Sequence, residues 1–204
     1  RETFREADVI RVHGIISNGG ASVNAIPGEV IYDGRVRAKS IEALEPIAEK
    51  VIRCYRAGAL AVGASVEVQS IAGYHGLVQD PTMQKLFIEN AKLVLGRDSI
   101  SVVGASQTHG GSTDMGDLSK IMPVIHPYAN SASGVGHGHD YLIEDYEIAV
   151  VAPAKVMTAT VLDLLGNDAQ VARELLAKSN PAMTAEQYIS VQRSRFKTEL
   201  FEPS

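Results

Sequence analysis

A change of period near residue 40 constrains this sequence more than any other feature. From Gly28 to Ala38 (GEVIYDGRVRA) the pattern alternates. Val30, Tyr32, Gly34 and Val36 fall on one face of a strand, and Ile31, Asp33, Arg35 and Arg37 on the other. From Ser40 the period becomes helical: Ile41, Leu44, Ile47, Ala48, Val51, Ile52 and Tyr55 form one apolar stripe. Ser40 is the expected cap, and Glu42 and Glu45 complement the positive end of the helix dipole. Upstream, Asp8 to Ser17 (DVIRVHGIIS) is β-branched and partly alternating, and Asn18-Gly19-Gly20 breaks it with turn chemistry. Downstream, Gly63 ends the helix and SVEVQSI alternates again. The order is β-β-α-β, a piece of an α+β sandwich.

Beyond Ile71 the texture changes, which predicts a second unit with a boundary near Ala72. Asp80-Pro81 opens a helix to about Leu95, and Ile100 to Val103 reads as a short strand. Pro123 to Tyr128 (PVIHPY) reads as another strand, followed by an irregular segment, NSASGVGHGHDYLIED. A helix is expected from Tyr146 to Leu165, and two shorter ones at Ala169 to Lys178 and Thr184 to Thr198. The chain is 45% hydrophobic with a net charge of -5 and a pI near 5.7, and it has no basic block. That balance argues against nucleic acid or an anionic membrane as a partner. No continuous apolar run approaches the roughly 18 to 20 residues that span a bilayer. The single cysteine, Cys54, excludes an internal disulfide, fits a reducing, cytoplasmic setting and is expected to be a buried apolar thiol.

Five of the six histidines lie at strand ends and Gly-rich loops, where titratable residues on a scaffold carry function. Four of them fall in three groups: His109 to Asp114 (HGGSTD), His126 (IHPY), and His137-Gly138-His139-Asp140. Imidazole beside carboxylate suits a zinc ion, and an extended H-x-H would aim both rings to one side. The alternative is that these rings bond to loop backbone. No G-x-S-x-G elbow and no G-x-x-x-x-G-K-[ST] loop is present, which argues against serine hydrolase and nucleotide-binding chemistry.

RVHGIISNGG, NAIPGE, RVRA, GGSTDMGDLS, PVIHPY and AVVAPAKVMTATVLDLL follow one another from about Asp8 to Leu165. In this order they resemble metallopeptidase family twenty, the zinc aminoacylase and carboxypeptidase group, above all its branch acting on aminobenzoyl-glutamate, acyl-amino acids or unusual dipeptides. The resemblance implies an α/β fold: residues 1–72 as part of a β-α-β lid (dimerisation) domain, and 73–204 as the C-terminal segment of a zinc-hydrolase catalytic domain. It implies a homodimer formed through the lid, a small-molecule amide substrate, and two zinc ions that activate a water while a glutamate moves its proton. The family's early motifs, with most metal ligands and the general base, have no counterpart in these residues. The chain is therefore expected to be a C-terminal portion and to be inactive alone. Its first residue, Arg1, also fits a trimmed or truncated product.

Residue by residue, the resemblance makes His137 the late histidine that closes the metal site, in a His-x-x-x-aromatic pattern ending at Tyr141, with His139 as the fallback. The flanking Gly136 and Gly138 are expected to give the backbone its freedom there. Asn24, before Ala25-Ile26-Pro27, resembles the lid asparagine that reaches the substrate carboxylate across the dimer, and Arg37 matches the basic residue at the end of the next lid strand, as a substrate contact or as a solvent-facing arginine. Asp114, with Ser112 and Thr113, matches a loop that orients substrate or a ligand. His13 is a substrate contact or a structural hydrogen-bonding residue, and His126 is expected to be structural. Two other readings stand beside the enzyme: a truncated, non-catalytic dimerisation or scaffold module of the same family, and an unrelated ferredoxin-like binding domain.

Overall fold

The computed structural model describes residues 4–95, 100–102 and 112–203. Within these the chain mixes helices with small antiparallel sheets, compatible with the α/β class. It divides into two compact units, 1–76 with 191–204, and 77–190. The first unit thus takes in the C-terminal tail, which a single cut near Ala72 would have left in the second.

In the first unit, β1 (Arg11–Asn18) and β2 (Ile31–Arg37) form an antiparallel ribbon. The register pairs Arg11 with Arg37, Val12 with Val36, His13 with Arg35, and Gly14 with Gly34. A shift between Ile16 and Asn18 interrupts it before the 19–30 connection. Helix α1 (Ile41–Ala61) follows, and the Ser40 side chain accepts a hydrogen bond from the Ala43 amide at 3.3 Å. Ala43, Ile47 and Val51, each one turn apart, are buried, so the stripe read from sequence is the packed face. Gly63, at φ +69°, lets the chain reverse out of the helix. Cys54 departs from expectation: it is exposed, because the turn of α1 carrying Arg53 and Cys54 points away from that stripe.

Strand β3 (Val66–Ser70) was expected, but its partner was not. It pairs antiparallel with β6 (Lys197–Phe201), Val66 opposite Phe201 and Ser70 opposite Lys197. The helix expected through Thr198 stops at Ser194, and the last residues become strand because β3 offers an open edge. The Arg56 guanidinium sits 4.1 Å from the centre of the Phe201 ring, which ties β6 to α1.

The second unit opens with α2 (Pro81–Leu95), where Asp80 Oδ1 accepts from the amides of Thr82 at 2.9 Å and Met83 at 2.8 Å. Pro123 to Tyr128 is not a strand; it is joined to Gln79 and Asp80 by isolated bonds. Asp80 N donates to Val124 O at 2.8 Å, and His126 N to Gln79 Oε1 at 2.9 Å. Likewise 100–102 is not strand; the rest of that expected element, and His109 to Gly111, lie outside the described residues. Two short strands, β4 (Ala132–Ser133) and β5 (Leu142–Ile143), close a hairpin after α3 (Met115–Leu118).

A π-helical turn, Glu147–Val151, leads into α4 (Ala152–Lys178), whose backbone leaves helical geometry from Gly166 to Ala169. The helices expected on either side of Asn167 are therefore two helices that meet at this break. Contrary to the count of continuous apolar runs, the stretch Glu147–Lys178 holds an 18-residue window of mean hydropathy 1.7, long and apolar enough by length and composition to cross a membrane. Lys155 and Asp163 interrupt that window. Ala152, Val156 and Thr160 are buried along one side of the helix, which packs against α2. At α5 (Ala185–Ser194), Thr184 and Gln187 exchange backbone-to-side-chain bonds of 2.8 and 3.2 Å, a capping box.

Candidate functional site

The β1–β2 ribbon sorts its residues into two chemically different faces. Directly opposite residues project to the same side, so Arg11, Arg37, His13, Arg35, Ile15 and Asp33 share one face. Val12, Val36, Gly14, Gly34, Ile16 and Tyr32 share the other. On that second face the Tyr32 ring lies across both glycines: a Cβ on Gly14 would meet its hydroxyl at 2.6 Å, and one on Gly34 would meet its ring at 2.9 Å. The Tyr55 hydroxyl of α1 would stand 2.8 Å from that same Gly34 Cβ. The glycine face therefore turns toward α1, and the face carrying His13 and Arg37 turns away from it. Burial raises the Tyr55 phenol above its ordinary pKa, and the neighbouring Tyr32 adds to the rise.

His13 and Arg37 are thus brought onto one surface, on a diagonal across the two strands. Asn24 is not with them. It lies exposed in the 19–30 connection, which leaves the ribbon at the end opposite to the Arg11–Arg37 pair, and its side-chain oxygen accepts from the Ser22 hydroxyl. Six residue steps from Ile31 to Arg37 at about 3.3 Å each separate the two ends of the ribbon by roughly 20 Å.

In the second unit, Asp114 is exposed at the start of α3. Thr113 Oγ1 donates to its Oδ1 at 3.1 Å, and its backbone carbonyl accepts from Asp117 N at 2.9 Å. The aromatic partner of this segment is Tyr188, whose hydroxyl donates to Asp117 Oδ2 at 2.9 Å. His126 packs edge-on against Tyr128, ring centres 4.9 Å apart, and its Nδ1 is buried with no hydrogen-bond partner among the described residues.

His137 occupies the β4–β5 hairpin loop, in a conformation that differs from the extended H-x-H. Gly138 N donates to Val135 O at 2.7 Å, which closes a turn with His137 in its third place at φ +67°. Tyr141 N then donates to Gly138 O at 3.3 Å, so His139 and Asp140 belong to a second turn. Strand alternation does not govern where these rings point. The flanking glycines do not carry the unusual backbone either: the left-handed residues of the loop are Gly134, at φ +83°, and His137 itself. Gly134 is required, since a Cβ there would collide with the Asp140 carbonyl. His137, His139 and Asp140 are all exposed. Among the described residues no three histidine, cysteine, aspartate or glutamate side chains come together as a metal site. A catalytic zinc takes three protein ligands, so the described residues do not by themselves fit the expected ions.

Sequence reasoning missed Arg11 and Arg35, because the pairing register that groups them with His13 and Arg37 is not a property of either strand alone. It also missed Asn90, buried between α2 and α4. Its Nδ2 reaches Asp163 Oδ2 at 2.7 Å and Thr160 Oγ1 at 3.4 Å, and Thr160 in turn donates to Val156 O at 2.8 Å.

No protein-family model matches the chain. It is similar over 163 residues to the Xaa-Arg dipeptidase of Mus musculus, at 34% identity, and to that of Homo sapiens, at 35%. Each alignment takes in 76% of this chain and 37% of the relative. The chain thus spans little more than a third of the length of these curated relatives, which are peptidases.

Proposed function

We propose that this chain is the C-terminal part of a metal-dependent amidohydrolase of metallopeptidase family twenty, and that the whole protein hydrolyses an amide bond in a dipeptide, an N-acyl amino acid or aminobenzoyl-glutamate. The observation that carries this reading is the similarity to two dipeptidases, joined to the ordered motifs from RVHGIISNGG to AVVAPAKVMTATVLDLL. The name of those relatives puts dipeptides ending in arginine first among substrates to try. In this reading residues 1–72 belong to a lid through which two copies associate in the cytoplasm, and 73–204 to the catalytic domain. His13, Asn24, Arg37 and Asp114 bind and orient substrate. No catalytic step is assigned to the described residues, because they hold neither three converging ligands nor a base beside one. His137 contributes at most one ligand to zinc centres completed by other parts of the longer protein. The partner is a small amide, with no role for nucleic acid or membrane.

The exposed side of the helix that begins at Glu147 supports the idea of a part that works within a larger whole. Val150, Val151, Ala154, Thr158 and Leu162 line a shallow apolar groove there, and Leu162 and Leu165 are each more than 60% exposed. A solvated stripe of this kind is uncommon on a self-sufficient domain. The alternative, a non-catalytic dimerisation or scaffold module, draws on the same observation and on the lack of three converging ligands among the described residues.

The two readings separate on one experiment. Release of free arginine from Xaa-Arg dipeptides, and zinc content, are measured for this chain and for a protein extended to the length of the relatives. The enzyme reading expects zinc and turnover in the extended protein and neither in the chain alone. An extended protein that dimerises but binds no zinc and cleaves no amide would establish the scaffold reading instead.

A further inference from the structure

We propose that the C-terminal segment 195–201 is a releasable strap with two structures: strand β6 while it sits on the edge of β3, and a continuation of α5 when it leaves. The segment's own pattern is helical. Phe196 and Leu200 follow Ile189 at seven and eleven positions, which places all three on one face of a helix prolonged from α5. The next stop signal, Pro203, comes only after Phe201. The structure uses another pattern. Helix α5 ends at Ser194, and the amides of Arg195 and Phe196 donate to Gln192 O and Arg193 O, each at 3.2 Å. These bonds reach three residues back instead of four, so they tighten the last turn and lead the chain into β6.

As a strand the segment fits its partner poorly. Directly opposite residues share a side, so Phe201, Glu199 and Lys197 fall with the half-buried Val66, Val68 and Ser70. Glu199 thus stands across from Val68, a carboxylate set beside an apolar residue. Leu200 projects the other way and is 60% exposed, and Phe196, just before the strand, is 58% exposed. Only Phe201 of the five strand residues is partly buried, with the Arg56 guanidinium over its ring. The strand therefore rests on its ladder and one seated ring, whereas the helix would gather Ile189, Phe196 and Leu200 along one stripe. A local preference that opposes the tertiary state marks an element held in place by its partner alone. Its release leaves β3 with a row of unpaired amide and carbonyl groups. That edge is a docking site for an extended segment of the tail's own kind, one that brings an aromatic ring to Arg56.

The test follows backbone carbon shifts and amide hydrogen exchange in the full 204-residue chain. Phe201→Ala should move the carbon shifts of 195–199 from strand toward helix values. It should also speed exchange of the β3 amides at least about tenfold while those of α1 keep their protection. Arg56→Gln, which leaves the tail itself unaltered, should act in the same direction. Adding Leu200→Glu to Phe201→Ala should abolish the helical shifts, because the apolar stripe is then broken. A synthetic peptide of residues 194–203, added to the Phe201→Ala chain, should restore protection to β3, and the same peptide carrying Phe201→Ala should not. A tail that stays strand in Phe201→Ala, or turns to coil instead of helix, would overturn the proposal, as would a peptide that leaves β3 unprotected. Loss of α1 protection in both single variants would overturn it too, by making β6 a part of the first unit's core instead of a strap.

Discussion

The Tyr32 ring of β2 stands 5.5 Å from the Tyr55 ring of α1, tilted by 57°, and this pair fastens the ribbon to the helix through the gap left by Gly14 and Gly34. A tilted aromatic pair at this separation contributes about 0.5–1.5 kcal/mol beyond area burial. Tyr32→Ala should lower stability by at least that amount, and Gly34→Val by more, since a side chain there meets both tyrosines. Denaturant unfolding followed by circular dichroism measures both. A Gly34→Val chain as stable as its parent would show that the ribbon does not close on α1.

The same pair gives the first unit an alkaline limit. Tyr55 has its folded pKa raised above the ordinary value of 10.0, chiefly by burial. A raised pKa means that the folded state keeps its proton where the unfolded chain has lost it. The contribution is fully present below the unfolded pKa and is lost as pH rises through the folded one. Stability should therefore fall above about pH 10, and Tyr55→Phe should flatten that fall. An unchanged alkaline slope in Tyr55→Phe would remove Tyr55 as its source.

Asn90 is the polar link between α2 and α4, and its replacement by Ala takes away donors to Thr160 and Asp163. Asp163 is exposed, so screening keeps the loss toward the lower part of the about 1.5–3 kcal/mol expected for a hydrogen bond to a charged group. Asn90→Ala should accelerate hydrogen exchange in both helices together. Exchange that changes in α2 alone would mean that the link does not couple them.

In the protein extended to the length of its relatives, Asn24→Ala and Arg37→Ala should each lower kcat/KM by about 1.5–3 kcal/mol while folding stays near parent values. Amide substrates bearing a carboxylate are the ones to assay, and an unaltered kcat/KM for them would dismiss both assignments.

His137 separates function from fold. Its φ of +67° is a conformation that glycine adopts freely and a histidine does not, so His137→Gly should hold the hairpin loop at least as well. If His137 is a metal ligand, the same variant of the extended protein loses zinc and turnover while gaining or keeping stability, and His139→Ala costs less. Zinc analysis of the two variants decides this: retention in His137→Gly with loss in His139→Ala would transfer the ligand to His139.

Local chemistry was legible in the sequence wherever the bonds it specifies are local. Helix hydrogen bonds reach four residues, so the stripe from Ile41 to Tyr55, the Ser40 cap and the break after Leu165 could be read directly. The face sorting of β2 followed from its alternation in the same way, and with it the position of Arg37. What the tertiary structure decided is everything that needs a distant partner. Lys197–Phe201 is a strand because β3 supplies a ladder 130 residues upstream, roughly counted, and Pro123 to Tyr128 is not one because the chain beside it offers only isolated bonds. Arg11 and Arg35 meet His13 and Arg37 only through the register of two strands, and His137 and His139 part company because two consecutive turns replace an extended run. A strand's side-chain pattern says which residues share a face; it does not say what stands across from them, and that relation is fixed by the ladder alone.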